Sequence, residues 1–328
     1  MTTLLVISFL IATAGAEGSK ALGIRLEKFT YPYPVSMLSL ETQNQQLEMA
    51  YMDVVPASPN GETVVLMHGK NFCGAYWGQT AKDLAAKGYR VVIPDQIGFG
   101  KSSKPSQYHY TFQALATNTR SLLDELEVKK VLILGHSMGG MIATRFVLMF
   151  PDRSESLVLV NPIGLEDWKT KVPYPGIDQW YQQELKTSAE SIKKYQMDSY
   201  YDGKWKPEYD AGVEVLVGMA ESDGYPLVAW NQALTYDMIF TQPVVYEFPL
   251  IKVPTLLIIG QRDRTALGKN LVAPEVAKTM GNYPELGRKT AAAIPGAKLI
   301  QIDGIGHVPH IEAYDRFLPP LVEFLDQK

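Results

Sequence analysis

Gly135-His136-Ser137-Met138-Gly139-Gly140 follows directly on the apolar run Val131-Leu132-Ile133-Leu134. This order suits a nucleophile elbow: a serine lifted off the end of a buried strand on a turn too tight for ordinary side chains, with a helix starting immediately behind it. Glycines at 135 and 139 permit that backbone crowding. Met141 to Leu148 has no Pro or Gly and carries apolar residues at helical spacing, as the helix requires. A serine hydroxyl is a weak nucleophile at neutral pH. It needs a histidine to take its proton and a carboxylate to hold the imidazole in the right tautomer.

Later segments supply both groups. Asp263 lies in Gly260-Gln261-Arg262-Asp263-Arg264, just past the apolar run Leu256 to Ile259, while Glu166 and Asp167, after the run ending at Val160, are the alternative acids. The chain has five histidines. His68 is read as shaping the loop after Val64 to Met67, His136 as the variable elbow position, and His109 as part of a polar loop. His307, in Asp303-Gly304-Ile305-Gly306-His307, is the expected base, and His310 is its competitor. A metal site built from His307, His310 and Glu312 lacks a second ligand cluster, so no metal or cofactor is expected.

The oxyanion of an acyl-transfer intermediate needs two backbone N–H donors. Met138, following the serine, supplies one. The loop His68-Gly69-Lys70-Asn71-Phe72 supplies the other, with Lys70 preferred and Asn71 second. The Lys70 side chain itself is read as a solvated charge. Cys73, the single cysteine, is read as a small buried hydrophobe rather than a nucleophile. Gly100-Lys101-Ser102 looks like the end of a phosphate-binding loop, but that motif needs glycine at 95, where this chain has Asp95. Asp95 to Ser102 is therefore read as a structural turn.

Buried strands must position these groups. Val64–Met67, Val91–Ile93, Val131–Leu134, Leu157–Val160, Leu256–Ile259 and Leu299–Ile302 are continuous apolar runs, as expected of strands covered on both faces. Helical candidates such as Gln79–Lys87 and Phe112–Leu126 alternate with them, which predicts a parallel sheet flanked by helices. Leu47 to Val54 alternates and is expected to add an antiparallel edge strand. The rhythm breaks between Pro162 and Phe248, a segment holding Trp168, Trp180, Trp205 and Trp230 and nine tyrosines. Helices are expected over Ile177–Gln196 and Val228–Phe240. An insertion at strand carboxyl ends is placed to roof the crevice where open α/β sheets bind ligands. The division read from the sequence is a core of residues 17–161 and 249–328 with a helical cap at 162–248.

With 328 residues, 46% hydrophobic and 20% charged, the chain can bury a large core and is not disordered. A net charge of -4 with scattered Lys and Arg excludes the basic footprint of a nucleic-acid binder. Leu4 to Ala14 is apolar and ends in Ala14-Gly15-Ala16, a pattern suited to signal-peptidase cleavage before Glu17. Residues 1–16 are thus read as a signal peptide and the protein as exported, although Met1-Thr2-Thr3 lacks the usual positive charge. The stretch is too short to span a bilayer.

From about Gln46 to Phe324 the chain resembles the α/β-hydrolase superfamily, in its capped branch of esterases, carbon–carbon bond hydrolases and perhydrolases. The resemblance rests on His68-Gly69, Asp95-x-x-Gly98-x-Gly100-x-Ser102, the elbow, Gly260-x-x-Asp263 and Gly306-His307. It implies an eight-stranded, mostly parallel sheet with a helical cap after strand six and cofactor-free acyl chemistry. Haloalkane dehalogenases and epoxide hydrolases of this fold carry aspartate where this chain has Ser137. The long stretch Gly268 to Arg288 departs from the simplest pattern and is expected to add a second wall to the pocket. The expected activity is hydrolysis of carboxylic esters, on an apolar or aromatic small molecule, through an acyl-enzyme on Ser137. Carbon–carbon bond, lactone or amide hydrolysis by the same residues is the alternative, and a binding protein on this fold is the reading from another class. Oligomeric state is not legible.

Overall fold

The computed structural model describes residues 20–327. The proposed signal segment, residues 1–16, lies outside the described residues. Eight strands make one sheet: β1 (Val35–Thr42), β2 (Gln45–Val54), β3 (Thr63–Met67), β4 (Arg90–Pro94), β5 (Val131–His136), β6 (Ser154–Val160), β7 (Thr255–Gly260) and β8 (Lys298–Ile302). Their order is β1-β2-β4-β3-β5-β6-β7-β8, antiparallel over β1-β2-β4 and parallel from β4 onward. The fold is that of the α/β hydrolases.

Eleven α-helices accompany the sheet among the described residues: α1 (Gly78–Ala86), α2 (Phe112–Glu125), α3 (Met138–Met149), α4 (Ile177–Glu184), α5 (Ala189–Tyr200), α6 (Asp210–Ala220), α7 (Tyr225–Thr241), α8 (Pro274–Ala277), α9 (Tyr283–Ala293), α10 (Pro309–Glu312) and α11 (Tyr314–Asp326). Two layers of core follow from the period-two alternation of the strands. On β5, Val131 and Ile133 pack with Leu115 and Leu122 of α2, Ile142 and Phe146 of α3 and Tyr283 of α9. Leu132 and Leu134 pack on the other face with Ala81 and Leu84 of α1 and Phe317 and Leu321 of α11. Continuous apolar runs are the only sequence that satisfies both faces at once.

Two elements differ from the sequence reading. The edge strand is β1, and β2 lies inside it, paired with both β1 and β4. β1 escapes notice because serine and glutamate interrupt it, and its hairpin turn is Gln43-Asn44, with φ of 50° and 57°, rather than the usual Asn-Gly. The expected helix Ile177–Gln196 is two helices, α4 and α5. Ser188 breaks it: its hydroxyl accepts the Ser191 N–H while the Ser191 hydroxyl accepts the Ser188 N–H, a reciprocal cap that starts a new helix.

Helices α4 to α7 all fall between β6 and β7. The carboxyl ends of β3, β5, β6, β7 and β8, five neighbours in the sheet, point the same way, so the residues just past them form one row.

Candidate active site

Ser137 sits past β5 at φ 56° and ψ -121°, a left-handed conformation held by its neighbours. Its N–H donates to the Val160 carbonyl at 3.2 Å, and its own carbonyl accepts from Gly140 N–H at 3.0 Å and Ile163 N–H at 3.2 Å. The turn closes so tightly that a Cβ on Gly135 would lie 2.2 Å from the Gly139 carbonyl oxygen, and one on Gly139 would lie 2.3 Å from that of Met67. Both glycines are therefore obligatory. Helix α3 begins at Met138, so the Met138 N–H has no carbonyl behind it within the helix.

Asp263 is fully buried past β7 and bonds His307 directly, its Oδ2 accepting from His307 Nδ1 at 2.7 Å. Burial works to raise the Asp263 pKa, but the His307 charge and hydrogen bond and the Thr265 N–H, 2.8 Å from Oδ1, outweigh it and hold the carboxyl below its ordinary value. Because Nδ1 donates to the carboxylate, Nε2 of neutral His307 is the basic nitrogen, and among the described residues no group hydrogen-bonds it. His307 and Ser137 line one cavity of about 700 Å³.

The alternatives lie elsewhere. Glu166 accepts from Lys171 at 2.9 Å and from Gly281 N–H at 2.7 Å, and Asp167 caps the turn at Trp168 and accepts from Tyr246 at 2.9 Å. His310 is stacked on Trp77 with ring centroids 4.4 Å apart, and burial together with the His307 charge pushes its pKa down to about 3. Cys73 is buried and its thiol is pushed up to about 12, chiefly by burial. Asp95 accepts from Gly74 N–H, Lys101 N–H and Tyr31 OH at 2.6–2.8 Å, so the Asp95–Ser102 turn is bound to the core.

Two residues that sequence reasoning missed hold this arrangement. Asn161, in the left-handed region at φ 35°, donates from Nδ2 to Asp263 Oδ2 at 2.8 Å and accepts the Gly260 N–H at 2.8 Å. An Asn-Pro pair at the carboxyl end of β6, between the elbow strand and the acid strand, was the available signal. Tyr76 is the second. His136 Nε2–H donates to the His307 carbonyl at 2.8 Å, so Nδ1 accepts from the Tyr76 hydroxyl at 3.0 Å, and that oxygen accepts the Gly69 N–H at 3.1 Å. One buried chain thus ties the elbow, the His307 loop and the loop after β3. Burial, with the neighbouring His310 and His307, holds His136 well below its ordinary pKa, so the neutral tautomer persists.

The Lys70 side chain is not solvated: it is 7% exposed and lines the cavity. Its ammonium donates to Gln232 Oε1 at 2.7 Å, sits 3.4 Å from the centre of the Tyr236 ring and is 3.9 Å from Glu184. A loop charge reads as solvated from sequence because its covering residues, on α4 and α7, lie far along the chain. Trp180, Tyr195, Tyr200 and Tyr236 from α4, α5 and α7, with Trp168, also line the cavity. Tyr200 stacks on His307 with centroids 5.0 Å apart. Trp205 instead packs on Tyr201 and Tyr209, and Trp230 donates to the Ser106 carbonyl. Residues 264–270 also line the cavity, so only the first part of the stretch Gly268 to Arg288 reaches it.

The sequence matches the alpha/beta hydrolase fold family over residues 62–314. The chain belongs to that family. A solved structure of a probable hydrolytic enzyme from Pseudomonas aeruginosa PAO1 is 52% identical, covers 94% of this chain and 99% of its own, and superposes with a TM-score of 0.92. Lipase 1 of Psychrobacter immobilis is 27% identical over 78% of this chain and 74% of its own length. The 2-hydroxy-6-oxononadienedioate/2-hydroxy-6-oxononatrienedioate hydrolase of Comamonas testosteroni is 25% identical over 81% and 88%. This chain is thus an enzyme of the α/β-hydrolase superfamily.

Proposed function

We propose that this hydrolase cleaves carboxylic esters with Ser137 as nucleophile, His307 as general base and acid, and Asp263 as the carboxylate that orients the imidazole. The observation that carries the reading is the 2.7 Å bond from His307 Nδ1 to Asp263, which leaves Nε2 as the proton acceptor in the cavity that Ser137 lines. Ser137 Oγ adds to the ester carbonyl while Nε2 takes its proton; the carbon–oxygen bond to the leaving alcohol breaks as Nε2 returns that proton to it. Water, deprotonated by the same nitrogen, then releases the acid. The N–H groups of Met138, at the start of α3, and of Lys70 stabilise the oxyanion, and the helix dipole favours charge at the first of these.

Helices α4 to α7, residues 162–248 with their connections, act as the cap. Their aromatic side chains give the cavity walls suited to an ester with an apolar portion. No cofactor enters this scheme. A panel of p-nitrophenyl esters from acetate to long chains, assayed on wild type and Ser137→Ala, tests it. Turnover that falls by roughly 10⁴-fold or more in the variant is the expected result. Equal rates in both proteins, or activity confined to carbon–carbon or lactone substrates, would overturn the ester reading.

A further inference from the structure

The buried ammonium of Lys70 is under-compensated. An ammonium carries three donors, and removing one from water is costly unless acceptors replace the lost hydration. Among the described residues one acceptor is at hydrogen-bond distance, the neutral Gln232 Oε1 at 2.7 Å; the Tyr236 ring supplies a quadrupole and Glu184 is the one acid within ion-pair distance, at 3.9 Å. Glu184 lies outside the cavity wall and faces a neighbouring cavity, so the positive end of the pair points inward. Burial brings the ammonium down to about 8, despite the Glu184 charge. An apolar side chain would build the same wall without that cost.

The rest of the cavity has the same sign. Its lining acids, Asp198 and Asp202, are exposed and each has a lysine partner, Lys194 at 2.5 Å and Lys204 at 3.4 Å. Of its lining cations, Arg262 is matched by Glu312 at 2.7 Å. Arg264 donates to the Gln261 and Asp263 carbonyls and Lys269 to the Arg264 carbonyl, and among the described residues neither has a carboxylate at ion-pair distance. In a chain of net charge -4 the cavity lining therefore carries Arg264 and Lys269 as well as Lys70 without a carboxylate of the lining paired to them. Such a lining raises the local concentration of anions.

We propose that the ester taken by this site carries a carboxylate, as a half-ester of a dicarboxylic acid does, and that the Lys70 ammonium binds that carboxylate at the cap-facing wall. This rests on the serine-hydrolase reading above and names its substrate class. The carboxylate supplies the charged acceptor that the wall lacks, while the ester carbonyl reaches Ser137. The ester is cleaved by water as before, to a dicarboxylate and an alcohol.

The test pairs p-nitrophenyl hydrogen succinate, glutarate and adipate with their methyl-capped, neutral counterparts. Wild type should show kcat/KM about 10- to 100-fold higher for at least one half-ester than for its neutral counterpart, the range of a charge-assisted hydrogen bond. Lys70→Met should collapse this ratio toward one and Lys70→Arg should keep most of it. Gln232→Glu, nearly isosteric, places a competing carboxylate beside Lys70 and should collapse the ratio even where Lys70→Met fails to fold. Binding of monomethyl glutarate against dimethyl glutarate to Ser137→Ala, by calorimetry, separates the two claims. Equal affinity for the two, with Ser137-dependent turnover of neutral esters intact, overturns the carboxylate subsite alone. Tighter binding of the anion with no Ser137-dependent turnover of any ester keeps the subsite and overturns the esterase reading.

Discussion

The strand ends and the insertion between β6 and β7 contribute to one cavity by opposite means. At the strand ends each polar group is fixed by backbone geometry and short hydrogen bonds: Ser137 by its positive φ, Asp263 by Asn161 and Thr265, His307 by Asp263 and, through its carbonyl, by His136. The insertion contributes rings and the partners of the Lys70 ammonium, held by side-chain packing such as Trp180 on Tyr236 at 4.9 Å. The difference teaches that precision of reacting atoms belongs to the sheet and the choice of substrate to the helices. Damage to the first should therefore appear in kcat, and damage to the second in KM and in substrate preference.

The sharpest way to break this contrast is Asp263→Asn, which preserves shape but offers His307 Nδ1 no anion. A fall in kcat of about 10⁴-fold is expected with KM little changed, measured in steady state on a p-nitrophenyl ester. Asn161→Ala comes next. It removes one donor from Asp263 and leaves the Gly260 N–H unpaired, so kcat should drop about 10- to 100-fold through misplacement of the imidazole, with a shifted acid limb of the pH–rate profile. Loss confined to KM would contradict the division of labour. Trp180→Ala, in the insertion, should change kcat by no more than about threefold while moving the chain-length optimum toward longer acyl groups, read from a series of esters. The Lys70 contrast adds a pH signature. Among the described residues its ammonium faces Glu184, Gln232 and Tyr236, and burial brings it down to about 8, so the preference for a carboxylated ester should be flat below about pH 7 and fade above 8.

The smallest effect is on stability. Among the described residues neither ring nitrogen of His310 has a hydrogen-bond partner, and burial holds it, like His68 and His136, less basic than in an unfolded chain. The unfolded state thus binds more protons as pH falls below about 6.5, and the fold loses stability from there down, by up to about 1.4 kcal/mol per pH unit for each such histidine, in the case of His310 as far as about pH 3. His310→Phe should flatten that slope by one histidine's share, measured by urea unfolding between pH 7 and pH 5. An unchanged slope would mean that His310 is not held neutral by its surroundings.

The same contrast explains what could be read from the chain alone. Ser137, Asp263 and His307 are legible because each stands three to five residues past an apolar run, and a parallel sheet brings such ends together whatever the rest of the chain does. The glycines at 135 and 139 are legible for the same local reason. Asn161 is harder, since its partner lies 102 residues away and its own surroundings read as a loop. Lys70 could not be read correctly. Its burial depends on Gln232, 162 residues on, and on how two helices of an aromatic-rich segment pack, which no local period encodes. The division of Ile177–Gln196 at Ser188 and the edge strand β1 failed for a related reason: each turns on a short capping or turn signal weaker than the apolar pattern around it.

The central claim is a covalent intermediate on Ser137, and intact-protein and peptide mass spectrometry after a fluorophosphonate probe measures it most directly. The account predicts one adduct, on the tryptic peptide from Val131 to Arg145, absent in Ser137→Ala and greatly slowed in His307→Ala. Ester turnover by a protein that takes no label on that peptide, or labels with equal speed without His307, would contradict it.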